Sequence, residues 1–153
     1  MFCCFSSRNN LEDVEKVALK DVEKADAKKF EVHVDVDGNV GKVVEVYDGD
    51  TFTMVFYSRG ELCHAKVRMN GIDTPEIKGE TDQEKAKAIV ARDALRKLLL
   101  GKVIAVSNLG IEKWGRILAD VHVQGVHVND YMLKEGHAVP YGGKHGLTKT
   151  HVW

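Results

Sequence analysis

Cysteine is scarce in this chain and poorly placed for cross-linking. Cys3 and Cys4 are adjacent and Cys63 stands alone, which makes neither a disulfide framework nor a zinc-ligand spacing. An excess of charge of either sign is also missing: 22 basic side chains face 23 acidic ones, for a net charge of −1. A protein that only coats nucleic acid carries a marked positive excess. Any polyanionic partner must therefore be held here by a local basic site or by a bound cation. No apolar run approaches the ~20 residues of a membrane span. The opening MFCCFSSR is too short for a secretory apolar segment and lacks a basic start, which predicts an intracellular protein. Cys3 and Cys4 are read as part of a frayed terminus. S-acylation there, giving a weak membrane attachment, is the less favoured reading, because Phe2 removes N-myristoylation as a companion signal.

What is present suggests one globular domain with an arm. The chain has 153 residues, 44% of them apolar and 29% charged, enough to bury a core and unlike a disordered composition. Residues 1–29 read as an N-terminal arm, with a charged helix over about 11–29 whose narrow apolar stripe is Leu11, Val14, Ala18, Val22 and Ala25. Residues 30–145 read as the core domain and 146–153 as a tail. Alternation predicts strands at Phe30 to Val36, Val40 to Tyr47, Thr51 to Tyr57 and Leu62 to Asn70. Thr81-Asp82-Gln83-Glu84 is a capping box that opens a helix with Ala88, Ala91, Leu95 and Leu98 on one face, and Gly101 ends it. Strands at Val103 to Val106 and Ile117 to Val123 follow, then a tight turn at Gln124-Gly125, and Asn129 is expected to cap a short helix ending at Gly136. Cys63 is expected to be a small buried apolar residue of a strand. The sum is a mainly β fold: a five-stranded OB barrel with one long inserted helix and a short second one.

The stretch Val46-Tyr47-Asp48-Gly49-Asp50-Thr51-Phe52 puts two carboxylates one glycine apart between strand-like runs, which by itself is a good hairpin turn. Counting changes its meaning. If Ser58 and Glu61 close the next hairpin, Thr51 faces Arg68 and Asp50 faces Met69. The returning strand runs on into Asn70-Gly71-Ile72-Asp73-Thr74-Pro75-Glu76, so Asp50, Arg68, Asp73 and Glu76 gather at one sheet end at ~3.4 Å per residue. Carboxylates gathered there repel one another unless neutralised, and hard oxygen ligands suit Ca²⁺ or Mg²⁺. Asp50, Asp73 and the Thr74 carbonyl, with Asp48 nearby, supply fewer than the ~6–8 oxygens that Ca²⁺ takes. That leaves room for water and a phosphate oxygen, as metal-assisted attack on phosphate requires. Glu76 is placed to accept a proton from an attacking water. Arg116, after the Gly115 turn, pairs with Arg68 as a clamp for charge that builds on non-bridging oxygens.

VYDGDTF, then VRMNGIDTPE, then EKWGRILADVHV, in that order, resemble the staphylococcal nuclease (thermonuclease-like) family over roughly Val40 to Lys144. The resemblance implies an OB-fold, Ca²⁺-dependent endonuclease acting on DNA and RNA and leaving 3′-phosphate and 5′-hydroxyl ends. By position, Asp50 and Asp73 resemble the calcium carboxylates, Thr74 the carbonyl ligand, Glu76 the family glutamate, and Arg68 and Arg116 the catalytic arginines. Lys113, Trp114 and Tyr141 are the expected substrate contacts, with single strands favoured and the chain acting as a monomer. The sequence departs from the family in several places. Trp114 stands where a tyrosine is common, so it stacks on a base but offers no phenol. The loop from Glu76 to Thr81 is short, a two-tyrosine segment is reduced to Tyr141, and the arm has no counterpart. The seven histidines, scattered without ligand spacing, read as structural or solvent-facing. The competing reading is a non-catalytic OB module that binds single strands or a protein partner, although such a module has no chemical need for the whole set of acids and arginines.

Overall fold

The computed structural model describes residues 35–112 and 114–142. The expected helix at 11–29, Cys3 and Cys4, Lys113 and the tail at 146–153 lie outside the described residues. Strands β1 (Val40–Val46), β2 (Thr51–Ser58) and β3 (Glu61–Met69) form an antiparallel meander. A short β4 (Ile72–Asp73) leads to helix α1 (Asp82–Leu99). Then come β5 (Val103–Ile111), β6 (Ile117–Val123), β7 (Val126–His127), helix α2 (Val128–Lys134) and β8 (Val139–Pro140). β5 pairs with β1 and β6 with β5, both antiparallel, and β6 returns to β3 in parallel through Val67↔Ile117, Arg68↔Leu118 and Met69↔Ala119. That last pairing closes a five-stranded barrel, the OB architecture expected from the sequence.

Period-2 alternation decides which side chains fill the barrel. β2 sends Phe52, Met54 and Phe56 inward, and β6 sends Ile117, Ala119, Val121 and Val123. Ala91, Leu95 and Leu99 of α1 are buried against the same core, and Val128 and Met132 of α2 join it; Ala88 of α1 is buried as well. The Thr81 hydroxyl accepts the Glu84 N–H at 3.0 Å, as a capping box requires. The reciprocal arm differs, because the Glu84 carboxylate accepts the Glu80 N–H, also at 3.0 Å, rather than that of Thr81.

Four local expectations are corrected. Asp35 and Val36, the described end of the expected Phe30 to Val36 strand, are not strand; they enter a single 3-10 turn over Asp37–Asn39. The Asp37 carboxylate holds this turn by accepting the Arg59 and Gly60 N–H groups at 3.0 and 2.7 Å. β5 does not stop at Val106. It runs to Ile111 through an irregularity between Ser107 and Gly110, where Asn108 takes φ 50°. Asn129 is not a cap, since α2 starts one residue earlier, after His127. Asn129 is 4% exposed, and its amide accepts the Val121 N–H at 2.9 Å and donates to the Asn70 carbonyl at 2.8 Å. It thereby ties α2 across the end of the β3–β6 seam. Cys63 is half-buried against the core rather than fully buried.

Removing the Asn129 amide strands two backbone groups at that seam. Asn129→Ala should lower the unfolding free energy by about 1–3 kcal/mol, the cost of leaving the buried Val121 N–H unpaired. Urea denaturation followed by circular dichroism checks this, and an unchanged midpoint would contradict the stapling role.

Candidate active site

The hairpin register comes out as the count from its turn predicts. Ser58 faces Glu61 and Thr51 faces Arg68, and the Met69 N–H donates to the Asp50 carbonyl at 2.9 Å. The acidic turn between β1 and β2 is closed by the Tyr47 and Asp48 N–H groups, which donate to the Thr51 carbonyl at 2.9 and 3.3 Å. Asp48 Oδ1 accepts the Asp50 N–H at 3.3 Å. Gly49 is required by packing. A Cβ there would lie 2.8 Å from the Ala91 Cβ of α1 and 2.9 Å from Thr74 Cγ2. The glycine thus lets the turn, the helix and the DTP segment meet closely.

Arg68 joins the two ends of the motif. One terminal nitrogen is 3.2 Å from Asp50 Oδ1 and 3.0 Å from Oδ2, and the other is 2.8 Å from Asp73 Oδ1. Asp50 is only 2% exposed and Asp73 5%, so this is a desolvated triad rather than a surface ion pair. The Thr51 hydroxyl donates to Asp50 at 2.8 Å. Burial pushes the Asp50 carboxyl up to about 7, against the pull of Arg68 and with a further push from Asp48. Burial also works against the Arg68 charge, but Asp50 and Asp73 hold that guanidinium above its ordinary value.

These groups line one open cleft of about 460 Å³. Asp48, Asp50, Arg68, Asp73, Thr74, Glu76, Trp114, Arg116 and Tyr141 all reach it. Every described site residue expected from the sequence is therefore in one place. Glu76 starts a turn closed by the Gly79 N–H at 2.9 Å. The Arg116 Nε is paired with the Glu112 carboxylate within the β5–β6 hairpin. Trp114 is 74% exposed at the hairpin tip. Tyr141 arrives through the β4–β8 pairing, in which Asp73 faces Val139 and the Tyr141 N–H donates to the Gly71 carbonyl at 2.9 Å. Its ring lies 5.6 Å from the Arg68 guanidinium carbon. Tyr47, Ile77, Lys78 and Glu112 also line the cleft; Tyr47 and Glu112 lie inside the quoted motifs, and Ile77 and Lys78 follow directly after one. None of the described histidines lines it. His122 and His127 instead stack across β6 and β7, 4.6 Å between ring centres.

The donor set suits a hard cation only in part. Among the described residues no three acid, histidine or cysteine side chains converge as a cation cage. Two buried carboxylates remain, with a third acid, Asp48, close enough to raise Asp50. One guanidinium serves the pair, so positive charge inside the triad falls short of the negative charge around it. That shortage is the physical ground on which a dication fits, with oxygen ligands beyond the side chains completing its shell.

The Asp50 value has a measurable consequence. In chelator the folded protein keeps a proton on Asp50 that the unfolded chain releases near 3.8. Folding stability from this group is full below that pH and is lost as pH rises through about 7. The difference in unfolding free energy between the parent and Asp50→Asn should therefore change steadily from pH 4 to 7, and a flat difference would show that Asp50 titrates normally.

Comparison with known proteins agrees with the geometry. The family model described as "Staphylococcal nuclease homologue" matches residues 66–151, a stretch that includes Arg68, Asp73, Glu76, Arg116 and Tyr141. The chain is 28% identical over 138 residues to the "Staphylococcal-like nuclease CAN1" of Arabidopsis thaliana, covering 87% of this chain and 40% of that protein. It is 33% identical over 102 residues to an "Uncharacterized endonuclease" of Escherichia coli, covering 66% of this chain and 60% of that protein. It is 34% identical over 73 residues to the "Probable staphylococcal-like nuclease CAN3" of Oryza sativa subsp. japonica, covering 48% and 18%. The chain thus spans between 18% and 60% of the lengths of these relatives. With more than half of its residues matched by the family model, and with a closed OB barrel that gathers acids and arginines in one cleft, the chain belongs to the staphylococcal nuclease family.

Proposed function

We propose that the protein is a Ca²⁺-dependent nuclease that hydrolyses phosphodiester bonds of DNA and RNA, favours single strands, and leaves 3′-phosphate and 5′-hydroxyl ends. The observation that carries this reading is the Asp50–Arg68–Asp73 triad, buried at the floor of a cleft that also receives Glu76 and Arg116. Asp50, Asp73 and the Thr74 carbonyl would hold the cation, which supplies positive charge to a bound phosphate. Trp114 and Tyr141 give a strand aromatic surfaces on which its bases stack; Lys113, outside the described residues, is assigned to the same binding role from its place in the motif.

The chemistry assigned to the chain's own groups is one of proton and charge placement. Glu76 accepts a proton from a water whose oxygen bonds to phosphorus. The P–O5′ bond breaks, and the departing oxygen takes a proton from solvent and leaves as a hydroxyl. Negative charge grows on the non-bridging oxygens meanwhile, and Arg68 and Arg116 meet it with N–H donors. Both guanidiniums hold carboxylates in the described structure, Arg68 with Asp50 and Asp73 and Arg116 with Glu112. A phosphate takes the place of an acid that each arginine is already shaped to meet.

Plasmid DNA and an RNA of similar length, incubated with Ca²⁺, should be cut by the unmodified chain. Chelator should abolish cutting. Arg116→Ala should lower the turnover rate by about 10²–10³-fold, as for the loss of one donor to a developing oxyanion, and Glu76→Gln by about 10²–10⁴-fold, as for the loss of a general base. Equal rates in all four conditions would reject the mechanism. Strand binding in chelator with no cleavage under any condition would identify a binding module instead.

A further inference from the structure

We propose that the substrate path does not end at Arg68 but continues along β3 onto a second platform, Tyr47 with Lys66, which takes one more nucleotide of a single strand. The proposal rests on the nuclease reading above and deepens it, because it sets the length and course of the strand. Arg68 sits on β3 between two neighbours, β2 on one side and β6 on the other. Trp114 comes from the β5–β6 hairpin, on the β6 side. Tyr47 comes from the β1–β2 turn, on the β2 side, and also lines the cleft. The two aromatic residues therefore flank the guanidinium from opposite sides of one strand.

Lys66 lies two residues before Arg68 on β3, so its side chain leaves the same face of the sheet. The β3–β6 pairing begins only at Val67↔Ile117, so Lys66 lies just beyond the stretch that β6 pairs. Its ammonium sits 5.6 Å from the centre of the Tyr47 ring, which is 50% exposed. Such pairs are common on protein surfaces, about one per 70–80 residues, and on that ground alone this one would mean little. Two facts raise it. The ring is a wall of the cleft, and Lys66 enters no ion pair among the described residues. The nearest acid in register is Glu45, opposite Thr53, which in turn faces Lys66, and the Glu45 carboxylate already accepts the Thr53 hydroxyl at 3.3 Å.

An ammonium outside any ion pair among the described residues, over a half-exposed ring and two residues along the strand from the arginine assigned to the phosphate, is what a single strand meets well. The lysine takes a phosphate as a point charge, and the tyrosine takes the attached base face to face, without preference among bases. Lys66 lies on β3 and Tyr47 in the turn that leads into β2, and the face of strands 2 and 3 is the side on which OB barrels bind extended strands. The charge balance also fits, because a chain of net charge −1 can hold a polyanion only where cations are locally uncommitted.

Two measurements test the platform separately from the nuclease reading. Fluorescence anisotropy with labelled oligo-dT of three and ten nucleotides, in a Glu76→Gln background so that the probe survives, gives the affinity gained with length. That gain should shrink about tenfold in Tyr47→Ala and persist in Tyr47→Phe. In Lys66→Ala the slope of log affinity against log salt should fall by about one for the decanucleotide. A decanucleotide bound no tighter than a trinucleotide, or a length gain and salt slope that both survive in Tyr47→Ala and Lys66→Ala, overturns the platform. Cleavage by the unmodified chain, measured alongside, keeps the two ideas apart. Cutting with an unaltered length gain removes the platform alone, and a Tyr47-dependent length gain without cutting removes the nuclease alone.

Discussion

The guanidinium of Arg68 is the charge on which the cleft depends. Asp50 and Asp73 are held away from water at 2% and 5% exposure, and a buried carboxylate without a partner is among the costliest groups a fold can carry. One planar cation with two terminal nitrogens can serve both acids at once, which is why an arginine rather than a lysine occupies the position. The arrangement still leaves Asp50 raised to about 7, because burial outweighs the pull of Arg68. Groups held in that condition are the ones that functional sites tend to collect.

The barrel exists to make this triad possible. Asp50 ends a turn, Arg68 is the next-to-last residue of a nine-residue strand, and Asp73 lies beyond a glycine corner. Antiparallel pairing from Ser58↔Glu61 to Thr51↔Arg68 converts a separation of eighteen residues into contact. The parallel seam between β3 and β6 then brings the Arg116 hairpin alongside. A near-neutral chain thus concentrates two arginines in one cleft without an overall basic character, the local solution that its charge balance demanded.

The site was more legible in the sequence than its frame was, for a physical reason. Strand pairing has a fixed step and a fixed parity, so with Ser58 and Glu61 as the hairpin ends the partners of Thr51 and Asp50 follow by counting. Nothing comparable marked β4 and β8, two residues each, because a pair that short has no periodicity to read. Tyr141 could be named from its motif but not placed, since only this pairing positions it. The extension of β5 was hidden by the irregularity at Asn108, where a polar residue at φ 50° resembles the start of a loop. At Asn129 cap and staple use the same side-chain amide, so the sequence alone does not separate them. Only the burial of its surroundings, a tertiary fact, distinguishes them.

The β4–β8 pairing also has a meaning for biosynthesis. A ribosome delivers the chain from its first residue onward, and Asp73 emerges long before Val139, the residue that pairs with it. The acids and Arg68 are synthesised long before the edge that carries Tyr141. Completion of the cleft therefore waits until synthesis has passed Tyr141, near the end of the described residues.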